Sequence, residues 1–97
     1  MDGKITDFDP AEFLDSDEAI QHYIDEAVAT GHAGFIADSL GVIARARGMS
    51  KLAKETGLSR ESLYRSLSEE GNPNLKTLLA VCKALGVSMN IGKPLQV

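Results

Sequence analysis

The chain has one cysteine, no tryptophan and only two tyrosines and three phenylalanines in 97 residues. A single thiol, Cys82, excludes an intramolecular disulfide and any zinc site built from cysteine pairs. Histidine is nearly as scarce. His22 and His32 stand far apart with no partner at metal-ligand spacing, so they read as surface residues, with no metal or other cofactor expected. No apolar run approaches the roughly 18 residues of a membrane span, and the acidic N-terminus lacks the basic and apolar regions of a signal peptide. These absences predict a cytoplasmic protein with no membrane partner. No nucleophile with a neighbouring base, no acid–base pair and no phosphate-cradling glycine loop is present, so no enzyme is expected.

What the chain does have is charge, unevenly divided. Residues 1–40 hold ten acids and one base, Lys4, a net of −9. Residues 41–97 hold four acids and nine bases, a net of +5. The overall −4 therefore conceals two surfaces of opposite sign. The basic half suits phosphate; the acidic half suits a cationic protein.

Turn signals cut the chain into short helices. Asp9-Pro10 opens a brief helix to Leu14, and Ser16 or Asp17 caps another in which Ile20, Tyr23, Ile24, Ala27 and Val28 share a face. Gly31 ends it. Phe35, Ile36, Leu40, Ile43 and Ala44 mark the next, with Arg45 and Arg47 near its C-terminal dipole. Gly41 inside that helix costs about 1 kcal/mol relative to alanine, which points to a close neighbour. A short helix over Ser50–Thr56 ends at Gly57, and another runs from Ser59 to about Glu69. After the turn at Gly71–Asn74, a last helix places Leu75, Leu78, Leu79, Cys82 and Leu85 on one face and stops at Gly86. The alternation over Val87–Ile91 predicts a short strand. The expectation is one compact all-α unit of five to six helices: an acidic N-terminal helical extension over residues 1–31 and a DNA-binding domain over 32–97.

The segment from Leu52 to Leu63 carries the function. A helix-turn-helix needs a small residue where its helices cross, a turn residue tolerant of positive φ and apolar anchors. Ala53, Gly57 and the leucines at 52, 58 and 63 supply them. Ser59 is a good N-cap, and Leu58 and Leu63 can form a hydrophobic staple. With the Leu63–Leu67 ridge facing inward, Glu61, Ser62 and Arg65 point away from the core, flanked by Arg60 and Tyr64. Together with Ser59 these are the candidate base-contacting residues on a recognition helix in the major groove. Arginine there reads guanine, and glutamate accepts from a cytosine amino group. Glu61 and Arg65 equally form an i,i+4 pair on a solvated helix, and Tyr64 equally fits a half-buried ring. Candidate phosphate contacts are Ser50, Lys51, Asn72, Asn74 and Lys76, the last three also suited to capping or flanking the next helix. One short helix reads few bases, so a homodimer on a two-fold operator is expected, through the C-terminal strand or the helix before it.

The stretches Leu40–Met49, Leu58–Arg65, Leu67–Pro73 and Ala84–Gly86 together resemble the probable addiction-module antidote family, antitoxins with a phage-repressor (Cro-like) helix-turn-helix. Phe8–Leu14 and Tyr23–Ala27 extend the resemblance along nearly the whole chain. It implies a type II toxin–antitoxin operon. The partners would be double-stranded operator DNA, repressed by the antitoxin, and a small basic RelE-like mRNA-cleaving toxin, sequestered by it. Two departures from the phage-repressor pattern stand out. The entry between Gly48 and Leu52 is short and lacks the usual glutamine, leaving Ser50 or Lys51 for its phosphate contact. Ser66 occupies a place usually apolar, with Leu67 one residue later. The alternative to an antitoxin is a stand-alone phage-like transcriptional repressor without a toxin partner.

Overall fold

The computed structural model describes residues 14–92. Within them the chain is all-helical, with five helices: α1 (Asp17–Ala29), α2 (Ala33–Arg47), α3 (Met49–Thr56), α4 (Arg60–Ser66) and α5 (Leu75–Leu85). The sixth expected helix, opened by Asp9-Pro10, lies outside the described residues.

Each helix begins where local chemistry dictates. Ser16 accepts from the Ala19 N–H and caps α1, and Asn74 accepts from the Thr77 N–H and caps α5. His32, read from sequence as a surface residue, also caps α2, its Nδ1 accepting from the Phe35 N–H at 3.2 Å. Gly48 precedes α3 with no side-chain cap, so α3 starts one residue before the expected Ser50.

α2 is the centre of the fold and packs against all four other helices. Its residues from Ser39 to Ala44 are buried on every side, as expected of a central helix. Leu40, Ile43 and Ala44 meet Ile20, Ile24 and Ala27 of α1 in the same core as Met49, Leu52, Leu63, Leu67, Val81 and Leu85. Phe35, expected on the inner face, lies near the exposed start of α2 and is 44% accessible. Ser39 is buried, and its hydroxyl has no hydrogen-bond partner among the described residues. An unpaired buried hydroxyl is costly, so Ser39→Ala is expected to raise stability by about 1 kcal/mol. Chemical denaturation would show it; a loss of stability would reveal a partner for that oxygen.

Two expectations need correction. Val87–Ile91 forms no strand. The Ser88 N–H donates to the Gln21 side-chain oxygen at 3.0 Å, and the Gln21 amide donates back to the Ser88 carbonyl at 2.8 Å. One carboxamide on α1 thus takes both backbone groups that a neighbouring strand would have used. The alternation survives only as packing: Val87 is buried, Met89 half-buried with its sulfur 3.5 Å from Cys82 Sγ, and Ile91 exposed. On α5, the buried side is set by Leu78, Val81 and Leu85, with Cys82 at its margin. Leu75 and Leu79 instead remain 67% and 64% exposed. A stripe read from sequence is wider than the strip that α2 and α3 can cover.

Candidate nucleic-acid interface

The α3–turn–α4 unit is built by local hydrogen bonds. Gly57 ends α3 in the left-handed region (φ 77°, ψ 10°), a conformation other residues enter only with strain, and donates to the Ala53 carbonyl at 2.9 Å. The Thr56 hydroxyl donates to the Leu52 carbonyl at 2.8 Å and accepts from the Leu58 N–H at 3.3 Å. Ser59 then caps α4, its hydroxyl accepting from the Ser62 N–H at 3.0 Å. These contacts fix the angle at which α4 leaves the turn.

Leu63 and Leu67 hold α4 to the core, at 0% and 4% exposure. That anchoring turns the remaining side chains outward. Ser59, Arg60, Glu61 and Arg65 are exposed, Tyr64 is 46% accessible, and Ser62 is half-buried. The Arg60 guanidinium carbon lies 5.9 Å from the Tyr64 ring centroid, a cation–π contact that restrains both groups. The surface therefore presents two guanidinium groups, a carboxylate and a phenol along barely two turns. Guanidinium supplies paired donors and carboxylate supplies acceptors, the two complements of base edges.

α4 stops at Ser66, three residues before the expected Glu69, and the reason lies in α2. An ideal Cβ on Gly41 would come within 2.2 Å of the Leu67 carbonyl oxygen, and one on Gly34 within 2.5 Å of the Glu69 carbonyl oxygen. The backbone after α4 runs directly over these two glycines, seven residues apart on one face of α2. Leu67 leaves helical geometry (φ −98°, ψ 58°) and drops into the core, which explains why its neighbour Ser66 is the polar one. Helix propensity alone marks Gly41 as a site of close approach. Gly34 stands near the start of α2, where a glycine costs little, so only its spacing from Gly41 signals the second crossing.

The candidate phosphate contacts divide between two helix starts. Ser50 and Lys51 are exposed in the first turn of α3. Asn72, Asn74 and Lys76 are exposed at the start of α5. The Asn74 side-chain oxygen is committed to its cap, leaving its NH2 as the donor.

The sequence profile described as probable addiction module antidote protein matches residues 4–93. The chain belongs to that family. An uncharacterized protein of Haemophilus influenzae (strain Rd) is 44% identical over 91 residues, covering 94% of each chain. No solved structure matches the chain. Membership in the antidote family gives the protein an antitoxin role and a toxin as its partner, which calls for binding rather than catalysis.

The acidic side of this antidote is carried by α1 and the residues that open it. Asp15, Asp17, Glu18, Asp25 and Glu26 are exposed there, away from the buried Ile20, Ile24 and Ala27. Asp17 pairs with Arg47 at the end of α2, and His22 lies 3.1 Å from Glu26 one turn on. No cluster of metal-ligating groups and no helix long and apolar enough to cross a membrane occurs among the described residues.

Proposed function

We propose that this antidote is an operator-binding autorepressor whose α3–α4 unit reads DNA as a homodimer, and whose acidic N-terminal half neutralises a small basic RelE-like toxin. The observation that carries the DNA reading is the outward set on α4, Arg60, Glu61, Tyr64 and Arg65, on a helix capped by Ser59 and anchored by two buried leucines. Base contacts come from Ser59, Arg60, Glu61, Ser62, Tyr64 and Arg65. Phosphate contacts come from Ser50 and Lys51 beside the uncapped N–H groups of α3, and from Asn72, Asn74 and Lys76 at α5. The toxin reading rests on family membership and on ten acids within the first forty residues, which complement a surface evolved to hold RNA.

Co-expression with the product of the adjacent gene tests the toxin half. The expected result is a stable complex and restored growth, with the complex weakened at higher ionic strength. A protein that shifts its own promoter yet neither binds that product nor relieves its toxicity is a stand-alone repressor. For the DNA half, binding to the promoter fragment should fall steeply between low and moderate salt as counterions are released. A fragment that binds no better than unrelated DNA at any salt concentration would refute it.

A further inference from the structure

We infer that the toxin is gripped in an apolar groove at the C-terminal end of α1, by an apolar side chain flanked by lysine or arginine. The inference rests on the toxin half of the proposed function and deepens it, naming the place and the chemistry of the grip.

Acidic side chains alone hold a partner weakly. Exposed charges steer encounter and select the partner, while affinity comes from a few apolar or aromatic anchors buried in pockets. The exposed residues of α1 are Asp17, Glu18, His22, Asp25, Glu26 and Ala29, none of them a large apolar residue. What α1 adjoins is a concave apolar surface. A cavity of about 280 Å³ opens between the end of α1, the start of α2, the turn before α5 and the segment after it. Val28, Ile36, Ala37, Pro73, Leu78 and Met89 give it an apolar lining. A second recess shares Val28 with the first and continues it along α1 to Asp25. No lysine or arginine among the described residues lines either one. Asp25 borders the recess beside α1, and the exposed Glu69 and Glu70 lead into Gly71, which lines the other. An apolar floor between acidic borders suits an apolar side chain between basic ones. It penalises an acidic segment twice, by desolvation and by like charge.

One wall of this groove is not helical, and Gln21 holds it. Met89 follows Ser88, whose N–H and carbonyl are both bonded to the Gln21 carboxamide. The same amide donates to Asp25 at 2.8 Å. A single side chain on α1 thus sets both the wall and the acid at the border, which makes Gln21 a positioning residue.

The test uses the full chain, its methionines ¹³C-methyl labelled, with the unlabelled product of the adjacent gene. On binding, the Met89 methyl resonance should shift, while that of Met49, buried in the core, stays in place. Ala33 lines the groove at the exposed start of α2. Ala33→Trp should fill the groove and weaken toxin binding about thirtyfold, with unchanged melting. Asp25→Lys should weaken it about tenfold at low salt and little at high salt. Gln21→Ala should move the Met89 resonance in the free chain and weaken the toxin about tenfold. A toxin that binds with Met89 unmoved, or binds Ala33→Trp as tightly as the parent, would overturn the groove and leave the antitoxin reading standing. The Met89 result decides the matter if Ala33→Trp misfolds. A Met89 shift that appears on concentrating the chain alone would give the groove to a second copy and likewise overturn the inference. A parent chain that binds no toxin would remove both readings.

Discussion

Gly41→Ala is expected to lower stability by about 2 kcal/mol, although alanine is the better helix former. Propensity alone favours alanine by about 1 kcal/mol in a helix interior. Against it, the new Cβ would stand 2.2 Å from the Leu67 carbonyl oxygen, where ordinary contact begins at 3.4 Å. Backbone on either side must move by more than an ångström, and such overpacking costs about 3 kcal/mol. The steric term wins. For a domain whose whole stability is of order 5–15 kcal/mol this is a large fraction, and Gly41→Val should leave little folded protein at 37 °C. Denaturant unfolding followed by circular dichroism measures both. A Gly41→Ala protein as stable as its parent would mean that the backbone after α4 does not run over α2. Under the operator-binding proposal the loss should also reach DNA binding, because displacing Leu67 releases the C-terminal anchor of α4.

The second large effect belongs to Arg65. Under the operator-binding proposal, Arg65→Ala should weaken promoter binding by about 1–3 kcal/mol, roughly five- to 150-fold, with an unchanged melting temperature. Its side chain is exposed, so no core contact is lost. Arg65→Lys is the sharper variant. It keeps the charge and hence the attraction to phosphate, but lacks the fork that grips two acceptors of one base. Its non-specific, salt-dependent binding should persist while preference for the operator narrows. Arg60→Ala should behave similarly and in addition free the Tyr64 ring. Equal affinity and equal preference in all three variants, measured by competition against unrelated DNA, would remove α4 from the reading surface.

Much of the fold is legible in the sequence because its signals are local. Ser16, Ser59 and Asn74 cap helices through bonds spanning three residues, and Gly57 ends α3 through its own φ. The inward ridge of α4 follows from spacing, and Leu63 and Leu67 are both buried. The features that spacing misplaces share a different cause. What replaces the strand at Val87–Ile91 is the Gln21 side chain, 67 residues away from Ser88 in sequence. No period in the sequence records that. Leu75 and Leu79 are exposed because a hydrophobic stripe says which side of a helix is apolar, not how much of it a neighbour can reach. The early end of α4 is half-visible: Ser66 flags the irregularity, but its cause sits on α2.

The residues offered for DNA contact are brought to one side of α4 by anchors that spacing predicts. The phosphate-binding candidates are tied less closely to that reading, since Asn74 already serves as a helix cap. The acidic residues of α1 stand on a separate helix, and α2 packs against both α1 and α4.

That shared helix, α2, has no side open to water from Ser39 to Ala44. A helix so enclosed behaves as a rod: close-packed surroundings leave it no soft face on which to absorb a push. Under the proposed function, a toxin on α1 and an operator on α4 would each press on a helix packed against that rod. Thermodynamic linkage then makes the traffic mutual: whatever factor toxin binding imposes on operator affinity, operator binding returns in equal measure to toxin affinity.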